Sequence, residues 1–324
     1  MRYLVTGGAG FIGSHLIEQL LSRDNNEVLA IDDFSTGSKE NISHLLSNSR
    51  FHFYEGSVLD ENLLQELIDK CETIYHLAAA VGVKYVMDNL IKSMKINIEG
   101  TENVLKIASK DKKKVLLASS SEIYGKNENC PFNEESDRIL GPTTKLRWSY
   151  SEAKAIDEFL AIAYHQETEL PIVVVRFFNV SGPRQTGAYG MVIPRFVSQA
   201  LSGKSLTVYG DGNQVRSFVH VKDAIHGLIS LMESENTDGG IFNLGSPEAV
   251  TISNLAHTVK RLTGSKSEIK YTPYAQIYDD SFEDLRYRVP NISKISKAIG
   301  FRPTKSLEDI LKDVIEYYKK KVDG

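Results

Sequence analysis

Short apolar segments alternate with longer segments of helical periodicity through the first half of the chain. In 63–68 and 103–108, apolar residues recur at three- and four-residue spacing, as expected for helices that pack one face against a sheet. Alternation of the two patterns is typical of repeated βαβ units. It predicts an α/β fold, with a doubly wound parallel sheet that helices cover on both faces. The predicted strands are 3–5, 28–31, 51–54, 73–75, 115–118 and 172–175.

The pattern changes after about Asn179, where Gly and Pro become frequent and the apolar segments shorten. Gly182-Pro183 and Gly210-Asp211-Gly212 are examples. We interpret this half as a smaller lobe of mixed α/β structure. The predicted domains are 1–178 and 179–324, with part of about 215–244 returning to the first.

Composition and charge exclude several classes of protein. With 38 Lys and Arg against 42 Asp and Glu, the net charge of −4 gives no basic field that would attract nucleic acid or an anionic membrane. Two cysteines are too few for a disulfide framework or a cysteine metal site, and no cluster of His, Asp, Glu and Cys has metal-ligand spacing. No apolar run is long enough to span a bilayer. We therefore predict a cytoplasmic protein without a metal, a nucleic-acid partner or a membrane partner.

The glycine segment near the amino terminus carries the first chemical signal. Gly7-Gly8-Ala9-Gly10-Phe11-Ile12-Gly13 follows the first predicted strand and opens the first predicted helix. Glycines there permit a tight turn and let backbone N–H groups approach a pyrophosphate at the positive end of the helix. Asp32-Asp33 ends the second predicted strand, where a carboxylate accepts ribose hydroxyls and repels the extra phosphate of NADP. The pattern predicts a Rossmann-type domain that binds NAD; the alternative is a plain turn and a helix cap.

A tyrosine and a lysine provide the second signal. Tyr150 and Lys154 lie four residues apart, on one face of a helix predicted to begin near Ser149. A free tyrosine has a pKa of about 10, so it is a useful base at neutral pH only when a cation stabilises its phenolate. Upstream, Ser120 follows a predicted strand, where its hydroxyl would reach a reacting oxygen. A tyrosine and a lysine at this spacing are usually just exposed on a helix. They indicate a catalytic site here because the glycine segment, Asp32 and the serine occur in the same chain.

Over essentially its whole length, the sequence resembles the extended short-chain dehydrogenases/reductases that process nucleotide sugars. The motifs that carry the resemblance are the glycine segment, Asp32, His76-Leu77-Ala78-Ala79, Asn97 with Gly100-Thr101, the serine run 119–125, Tyr150 with Lys154, the segment 176–184, Tyr209-Gly210-Asp211-Gly212 with Arg216, and Pro290-Asn291-Ile292-Ser293-Lys294. Two positions depart from the family pattern, because Ser57 and Asn291 stand where many relatives have Asp.

The resemblance implies a role for each matching residue. Tyr150 would take the proton of the sugar C4 hydroxyl while NAD takes the hydride, with Lys154 lowering the tyrosine pKa and Ser120 polarising the C4 oxygen. The implied catalytic residues are Tyr150, Lys154, Ser120 and Glu122. The implied NAD contacts are Gly7, Gly10, Phe11, Ile12, Gly13, Asp32, Asp33, Ser35, Thr36, Gly37, Ser57, Val58, Leu77, Ala78, Ala79, Asn97, Tyr150, Lys154 and Phe177. The implied contacts to a nucleotide sugar are Tyr85, Ser121, Arg147, Asn179, Val192, Tyr209, Arg216 and Arg288.

Three reactions of the family begin with a C4 ketone. A 4-epimerase returns the hydride to the other face, a 4,6-dehydratase uses an acidic pair after the serine, and a decarboxylase releases carbon dioxide from a uronate. Ser121 stands in place of the dehydratase aspartate, which disfavours dehydration. Ser121-Glu122, Tyr85 and Arg147 resemble UDP-glucuronate decarboxylases, whereas 184–196 resembles the 4-epimerases.

The sequence places a 4-epimerase of UDP-glucose or UDP-glucuronate first and a UDP-glucuronate decarboxylase second. A cation at Arg147 would select a carboxylate over a hydroxymethyl group at C6; the alternative is a helix-start residue stacked on Trp148. A protein that binds NAD without catalysis is a further alternative, although such proteins usually lack the tyrosine or the lysine. The resemblance also implies a homodimer formed through helices near 87–108 and 149–165.

Overall fold

A computed structural model of the chain describes residues 1–188, 190–277 and 283–323. The strands are β1 Arg2–Thr6, β2 Glu27–Asp32, β3 Phe51–Glu55, β4 Thr73–His76, β5 Lys114–Ser120, β6 Ile172–Phe177, β7 Val180–Ser181, β8 Leu206–Tyr209, β9 Val215–Ser217, β10 Val219–His220, β11 Gly240–Leu244, β12 Ala249–Thr251, β13 Ile269–Thr272 and β14 Tyr287–Arg288. The α-helices are α1 Phe11–Leu21, α2 Glu61–Asp69, α3 Val83–Asp88, α4 Leu90–Lys110, α5 Ser149–Thr168, α6 Val192–Leu201, α7 Val221–Glu233, α8 Ile252–Thr263, α9 Ser293–Ile299 and α10 Leu307–Asp323. Short 3-10 helices are Lys39–Asn41, Ser43–Leu45, Ser121–Tyr124, Leu146–Trp148 and Tyr274–Gln276.

A seven-stranded sheet forms the centre of the first lobe, in the order β11-β6-β5-β4-β1-β2-β3. Every neighbouring pair in it is parallel. The predicted α/β fold with a doubly wound parallel sheet is confirmed, and each of the six predicted segments lies inside a strand of this sheet. After β10 the chain returns to the same sheet through α7 and β11.

Helices cover both faces of this sheet, which explains why its strands are apolar at nearly every position. Val5 of β1 packs in one cluster with residues of α1 and α7, while the next residue back, Leu4, packs in another with residues of α2 and α4. Successive side chains of a strand point to opposite faces, so a sheet covered on both sides needs apolar residues at both. Burial of each large aliphatic side chain contributes about 1.5–3 kcal/mol.

The smaller lobe has its own core. Phe196 of α6, Leu255 of α8 and Val314 of α10 are fully buried against one another and against Val208 of β8. Two small sheets accompany these helices, with strand orders β12-β9-β14 and β13-β8. No helix in the described part of the chain is long and apolar enough to cross a membrane.

The fold brings the candidate residues to one edge of the central sheet. Parallel strands end at the same edge, and open α/β sheets bind ligands in the crevice beyond those carboxyl ends. The glycine turn follows β1, Asp32 ends β2, Leu77 follows β4, and Ser120 and Phe177 end β5 and β6. Helix α5 begins at Ser149, as predicted, and directs the side chains of its first turns to this edge.

Candidate active site

A cavity of about 780 Å³ lies at the carboxyl edge of the sheet and reaches the smaller lobe. It brings together most residues that the sequence singled out. The predicted residues that line it are Gly7, Gly10, Phe11, Ile12, Gly13, Asp32, Asp33, Ser35, Thr36, Ser57, Val58, Leu77, Ala78, Ala79, Ser120, Glu122, Arg147, Tyr150, Lys154, Phe177, Asn179, Val192, Tyr209, Arg216 and Arg288.

Four predicted residues are not among those that line the cavity. Gly37 lies against the Asp32 carboxylate, because a Cβ on Gly37 would stand 2.8 Å from Oδ1 of Asp32. Asn97 is buried, and its side chain hydrogen-bonds both the N–H and the carbonyl of Ala80, which shapes the loop after β4. Tyr85 is half-buried and packs against the α2/α4 side of the core. Ser121 is fully buried in the first turn after β5.

The glycine turn is shaped to admit an anion. Gly7 has φ +72°, and a Cβ on it would stand 2.8 Å from the backbone nitrogen of Ala78. A Cβ on Gly13 would stand 2.2 Å from the carbonyl oxygen of Gly7. Gly10 begins α1 without a side-chain cap, so the first N–H groups of the helix remain available to a pyrophosphate.

Asp32 is held at the end of β2 with its carboxylate oriented by the backbone. Its oxygens accept N–H hydrogen bonds from Ala9 at 3.0 Å and Phe34 at 2.8 Å. Burial raises the pKa of Asp32, and these two hydrogen bonds oppose that rise. Each carboxylate oxygen retains a second lone pair for a ribose hydroxyl. The residues at the glycine turn and β2 therefore fit NAD, and the Asp32 carboxylate would repel the ribose phosphate of NADP.

Tyr150 and Lys154 stand one turn apart on α5, at the middle of the cavity. Lys154 is buried, whereas Tyr150 is half-buried. Burial is the largest effect on Tyr150 and holds its pKa above the ordinary value; the charge of Lys154 and a hydrogen bond from the Ser120 hydroxyl lower that pKa, while Glu122 raises it further. Lys154 and Ser120 thus stabilise the phenolate form of Tyr150, whereas the charge of Glu122 destabilises it.

Glu122 lies between two arginines. Its carboxylate stands 2.7 Å from Nη1 of Arg147 and also pairs with Nη1 of Arg288. Burial alone raises the pKa of Glu122, but the charges of Arg147 and Arg288 outweigh it and hold that pKa at about 2. Arg288 also donates a hydrogen bond from Nη2 to Oδ1 of Asn179, at 2.9 Å. Glu122 is therefore ionised across the physiological pH range.

Arg147 is buried where the chain enters α5. Its guanidinium stacks on the Trp148 ring, 4.7 Å from the centroid, and its Nε donates to the carbonyl of Glu283. The Trp148 indole N–H donates to the Glu283 carboxylate at 2.9 Å. Arg147 therefore stacks on Trp148, as the alternative interpretation expected. It also lines the cavity, where it pairs with Glu122.

Arg216 and Arg288 form a pair of cations in the lining of the cavity. They are register partners on the parallel strands β9 and β14, so their side chains leave the sheet on the same face. Arg216 also pairs with Asp284 at 3.2 Å. The neighbouring Arg286 is exposed and pairs with Asp211, which separates it from the cavity-lining arginines. Two guanidinium groups side by side suit a diphosphate.

The cavity also includes residues that the sequence did not single out. Asp284 and Tyr274 lie beside Arg216, and Tyr317 and Tyr318 of α10 line the cavity as well. Their sequence surroundings hold no motif, because their place depends on how the smaller lobe packs onto the first. Within 1–188, 190–277 and 283–323, no group of three His, Cys, Asp or Glu side chains is arranged to hold a metal ion.

Comparison with known proteins now identifies the family. The family model for GDP-mannose 4,6 dehydratase matches residues 4–314. The chain belongs to this family. It is thus an NAD-dependent enzyme of the extended short-chain dehydrogenase/reductase type, in the group that contains nucleotide-sugar epimerases, decarboxylases and dehydratases.

Relatives of this extended short-chain dehydrogenase/reductase have more than one activity. The chain is 41% identical over 319 residues to the UDP-N-acetyl-alpha-D-glucosaminuronate decarboxylase of Bacillus cytotoxicus, covering 98% of both. It is 37% identical to UDP-glucuronic acid decarboxylase 1 of Danio rerio, covering 99% of this chain and 73% of that one. The crystal structure of UDP-glucuronic acid 4-epimerase from Bacillus cereus, in complex with UDP-glucuronic acid and NAD, is similar with a TM-score of 0.89, 31% identity, and coverage of 99% and 100%.

Proposed function

We propose that the chain is an NAD-dependent decarboxylase of a UDP-hexuronate, either UDP-glucuronate or its 2-acetamido analogue. The observation that carries the uronate substrate is the buried Arg147 in the cavity, beside Glu122 and three residues before the candidate base Tyr150, and the choice of decarboxylation rests on the named relatives. A cation at that place suits a sugar carboxylate. Two relatives that match 98% and 99% of this chain support the same reaction, since both are named as decarboxylases of such uronates.

The catalytic side chains have separate tasks in this proposal. Tyr150 accepts the proton of the C4 hydroxyl, because Lys154 and the Ser120 hydroxyl stabilise its phenolate. The glycine turn and Asp32 would hold NAD, whose nicotinamide would supply the acceptor for the C4 hydride and the donor for its return. The C4 ketone lies β to the C6 carboxylate, so the C5–C6 bond breaks with release of carbon dioxide and its electron pair moves onto the C4 oxygen. Tyr150 and Ser120 donate hydrogen bonds to that enolate oxygen, and C5 then takes a proton from water.

Glu122 serves the decarboxylation by sharing Arg147. A free arginine would bind the uronate carboxylate tightly and stabilise the ground state, which slows a step that destroys the carboxylate charge. Because Glu122 is ionised and already paired with Arg147, the arginine orients the carboxylate without fully neutralising it. Asn179, Arg216 and Arg288 hold the diphosphate beside the sugar, since Arg288 and Arg147 pair with the two oxygens of the same carboxylate.

A UDP-hexuronate 4-epimerase is the second candidate, in reverse of the order that the sequence favoured. It is supported by the likeness to the Bacillus cereus epimerase and by the segment 184–196. Both reactions need the C4 ketone and a cation for C6, so the same residues serve either one. The order changes because the relatives with 41% and 37% identity are named as decarboxylases, whereas the epimerase of known structure is 31% identical.

Product analysis separates the two candidates. The NAD-loaded protein is incubated separately with UDP-glucuronate, UDP-N-acetylglucosaminuronate, UDP-glucose and UDP-N-acetylglucosamine, and the products are identified by NMR and mass spectrometry. We expect a UDP-pentose with loss of carbon dioxide from one or both uronates. A product of unchanged mass with inverted C4 would establish the epimerase instead.

We further propose a homodimer formed through α4 and α5, the helices that cover one face of the sheet. Their outer surfaces expose apolar side chains that the monomer leaves uncovered: Ile91 is 76% and Phe159 is 67% exposed, with Met94 and Ile156 beside them in sequence. These two helices also pack together, so the four side chains belong to one layer of the molecule. A second copy that brings the same helices would bury them symmetrically.

A further inference from the structure

A fully buried acid stands one turn beyond the candidate catalytic lysine. Asp157 lies three residues after Lys154 on α5, and 2.9 Å separate Lys154 Nζ from Asp157 Oδ2. The two side chains are 3% and 0% exposed. Residues three apart share a helix face, so this ion pair is built into α5 itself.

Lys154 is the cation that pairs with the Asp157 carboxylate. Its Oδ1 has no hydrogen-bond partner in the described part of the chain. The hydroxyl of Thr101 faces the carboxyl group and lowers its pKa, although burial raises that pKa more strongly. Burying a carboxylate with an oxygen unsatisfied is unfavourable, and a buried carboxylate is retained here because removing it would leave the Lys154 ammonium buried without a counter-ion. The reason for the charge of Asp157 therefore lies in Lys154.

Other ionisable groups near the pair are occupied or neutral. The next residue, Glu158, pairs with Arg176 at 2.7 Å and accepts a hydrogen bond from Ser119. His76 of β4 lies between the hydroxyls of Thr6 and Thr101, and its burial, together with the charge of Lys154, lowers its pKa to about 3. His76 is thus neutral; Glu158 pairs with Arg176, and its charge also raises the pKa of Lys154, though less than Asp157 does.

The charge of Asp157 acts on both members of the tyrosine/lysine pair. Burial lowers the pKa of Lys154, but Asp157 raises it and so keeps the lysine protonated. The same charge raises the pKa of Tyr150, against the lowering by Lys154. The charged groups that face Tyr150 are Lys154 and Asp157 on its own helix and Glu122 from the turn after β5.

We propose that Asp157 is a positioning residue for the tyrosine/lysine pair. It fixes the Lys154 ammonium through a direct ion pair and offsets part of the positive field that the ammonium exerts on Tyr150. The proposal rests on the proposed role of Tyr150 as the base. It assigns Asp157 no contact with the sugar or with the reacting atoms.

The test is the pH dependence of the hydride step, followed by NADH absorbance after rapid mixing of the NAD-loaded protein with UDP-glucuronate. In Asp157→Asn, Tyr150 loses a neighbouring negative charge, so the acid limb of the rate profile shifts to lower pH. Lys154 loses its counter-ion, so the alkaline limb also shifts to lower pH. A shift of about half a pH unit changes the rate on the acid limb about threefold, which is readily measured.

Glu152→Gln is the matched control, because it removes the same charge from the same helix at an exposed position. Its side chain is 50% exposed and pairs with Arg138. We expect its profile to overlay that of the unchanged protein, since solvent screens the exposed charge. If Asp157→Asn lowers the rate at every pH without moving either limb, the acid is merely structural and the proposal is overturned.

A second variant guards against failure of the first to fold. Asp157→Ser is neutral and smaller, leaves room for a water beside Lys154, and is expected to move both limbs in the same direction. Folding is checked by circular dichroism and by bound NAD. The hydride step is common to decarboxylation and epimerisation, so a product that retains its carboxylate would overturn the proposed function alone, whereas unmoved limbs would overturn the role of Asp157 alone.

Discussion

Arg147 and Glu122 form a buried ion pair, with 2.7 Å between the arginine Nη1 and the glutamate Oε2. The other oxygen of the same carboxylate pairs with Arg288, whose register partner is Arg216. One carboxylate thus connects the arginine proposed for the sugar acid to the pair proposed for the diphosphate. The sugar carboxylate and the diphosphate would thus be bound by groups that already contact one another before the substrate binds.

Substitution of Tyr150 tests the base directly. In Tyr150→Phe, the group that accepts the C4 proton is lost while the ring that lines the cavity remains. We expect turnover to fall at least about a hundredfold, in line with the usual contribution of a general base, while NAD stays bound. Product formation and cofactor content measured on the same preparation check this. Near-normal rates would remove Tyr150 from its proposed role.

Substitution of Arg147 tests whether the cavity recognises a uronate. Arg147→Ala should weaken the binding of UDP-glucuronate about tenfold or more and that of UDP-glucose far less, because only the uronate has a charge at C6. Displacement titrations with the two ligands give both affinities. Arg138→Ala is the control, since that arginine pairs with Glu152 nearer the surface. Equal losses for the two sugars would leave Arg147 as a helix-start residue that packs on Trp148.

The sequence predicted the central sheet because both of its faces are covered. Strands buried on two sides appear as short apolar segments, and all six such segments are strands of the sheet. The seventh strand, β11, was harder to place, since it joins β6 after a long excursion through the smaller lobe. Its pairing depends on how the lobes pack, which periodicity does not report.

The residues of the candidate site also fall into those that the sequence predicted and those that depend on tertiary contacts. Residues in motifs, such as Asp32, Ser120 and Tyr150, were found because a strand end or a helix turn sets their position locally. Asp157 and Asp284 were not found. Each is recognisable only through its partner, Lys154 or Arg216, and a single acid on a helix or in a loop gives no signal by itself.

Cofactor preference can be tested at Asp32. In Asp32→Asn, the ribose hydroxyls lose a charged acceptor and an added ribose phosphate meets less repulsion. We expect NAD affinity to fall roughly tenfold to a hundredfold and the preference for NAD over NADP to shrink. Asp24→Asn is the matched control, because Asp24 is exposed and is not among the residues that line the cavity. Titrations with both cofactors decide the matter; an unchanged ratio of affinities in Asp32→Asn would contradict this assignment.

The proposed dimer can be tested at Phe159. Phe159→Glu places a charge on the exposed apolar surface of α5, and burying that charge against a second copy would be costly. We expect light scattering coupled to size-exclusion chromatography to give a dimer for the unchanged protein and a monomer for the variant. Tyr271→Glu, at another exposed aromatic side chain on β13, should leave the dimer intact. A monomer before any substitution would refute the proposal.

Acid stability should depend on His76. Its pKa is lowered to about 3 in the folded chain by burial and by Lys154, against about 6.5 for a free histidine. Between these values the unfolded chain binds a proton that the folded chain does not, so the free energy of unfolding falls as pH decreases below about 6.5. The histidine contributes about 1.4 kcal/mol per pH unit to this slope and nothing above that pH.

His76→Gln stays neutral and keeps hydrogen-bonding groups for Thr6 and Thr101, so urea unfolding between about pH 7 and 5 should show a shallower loss of stability. His257→Gln, at an exposed position on α8, should keep the full slope. If His76→Gln keeps it too, then other groups account for the acid sensitivity.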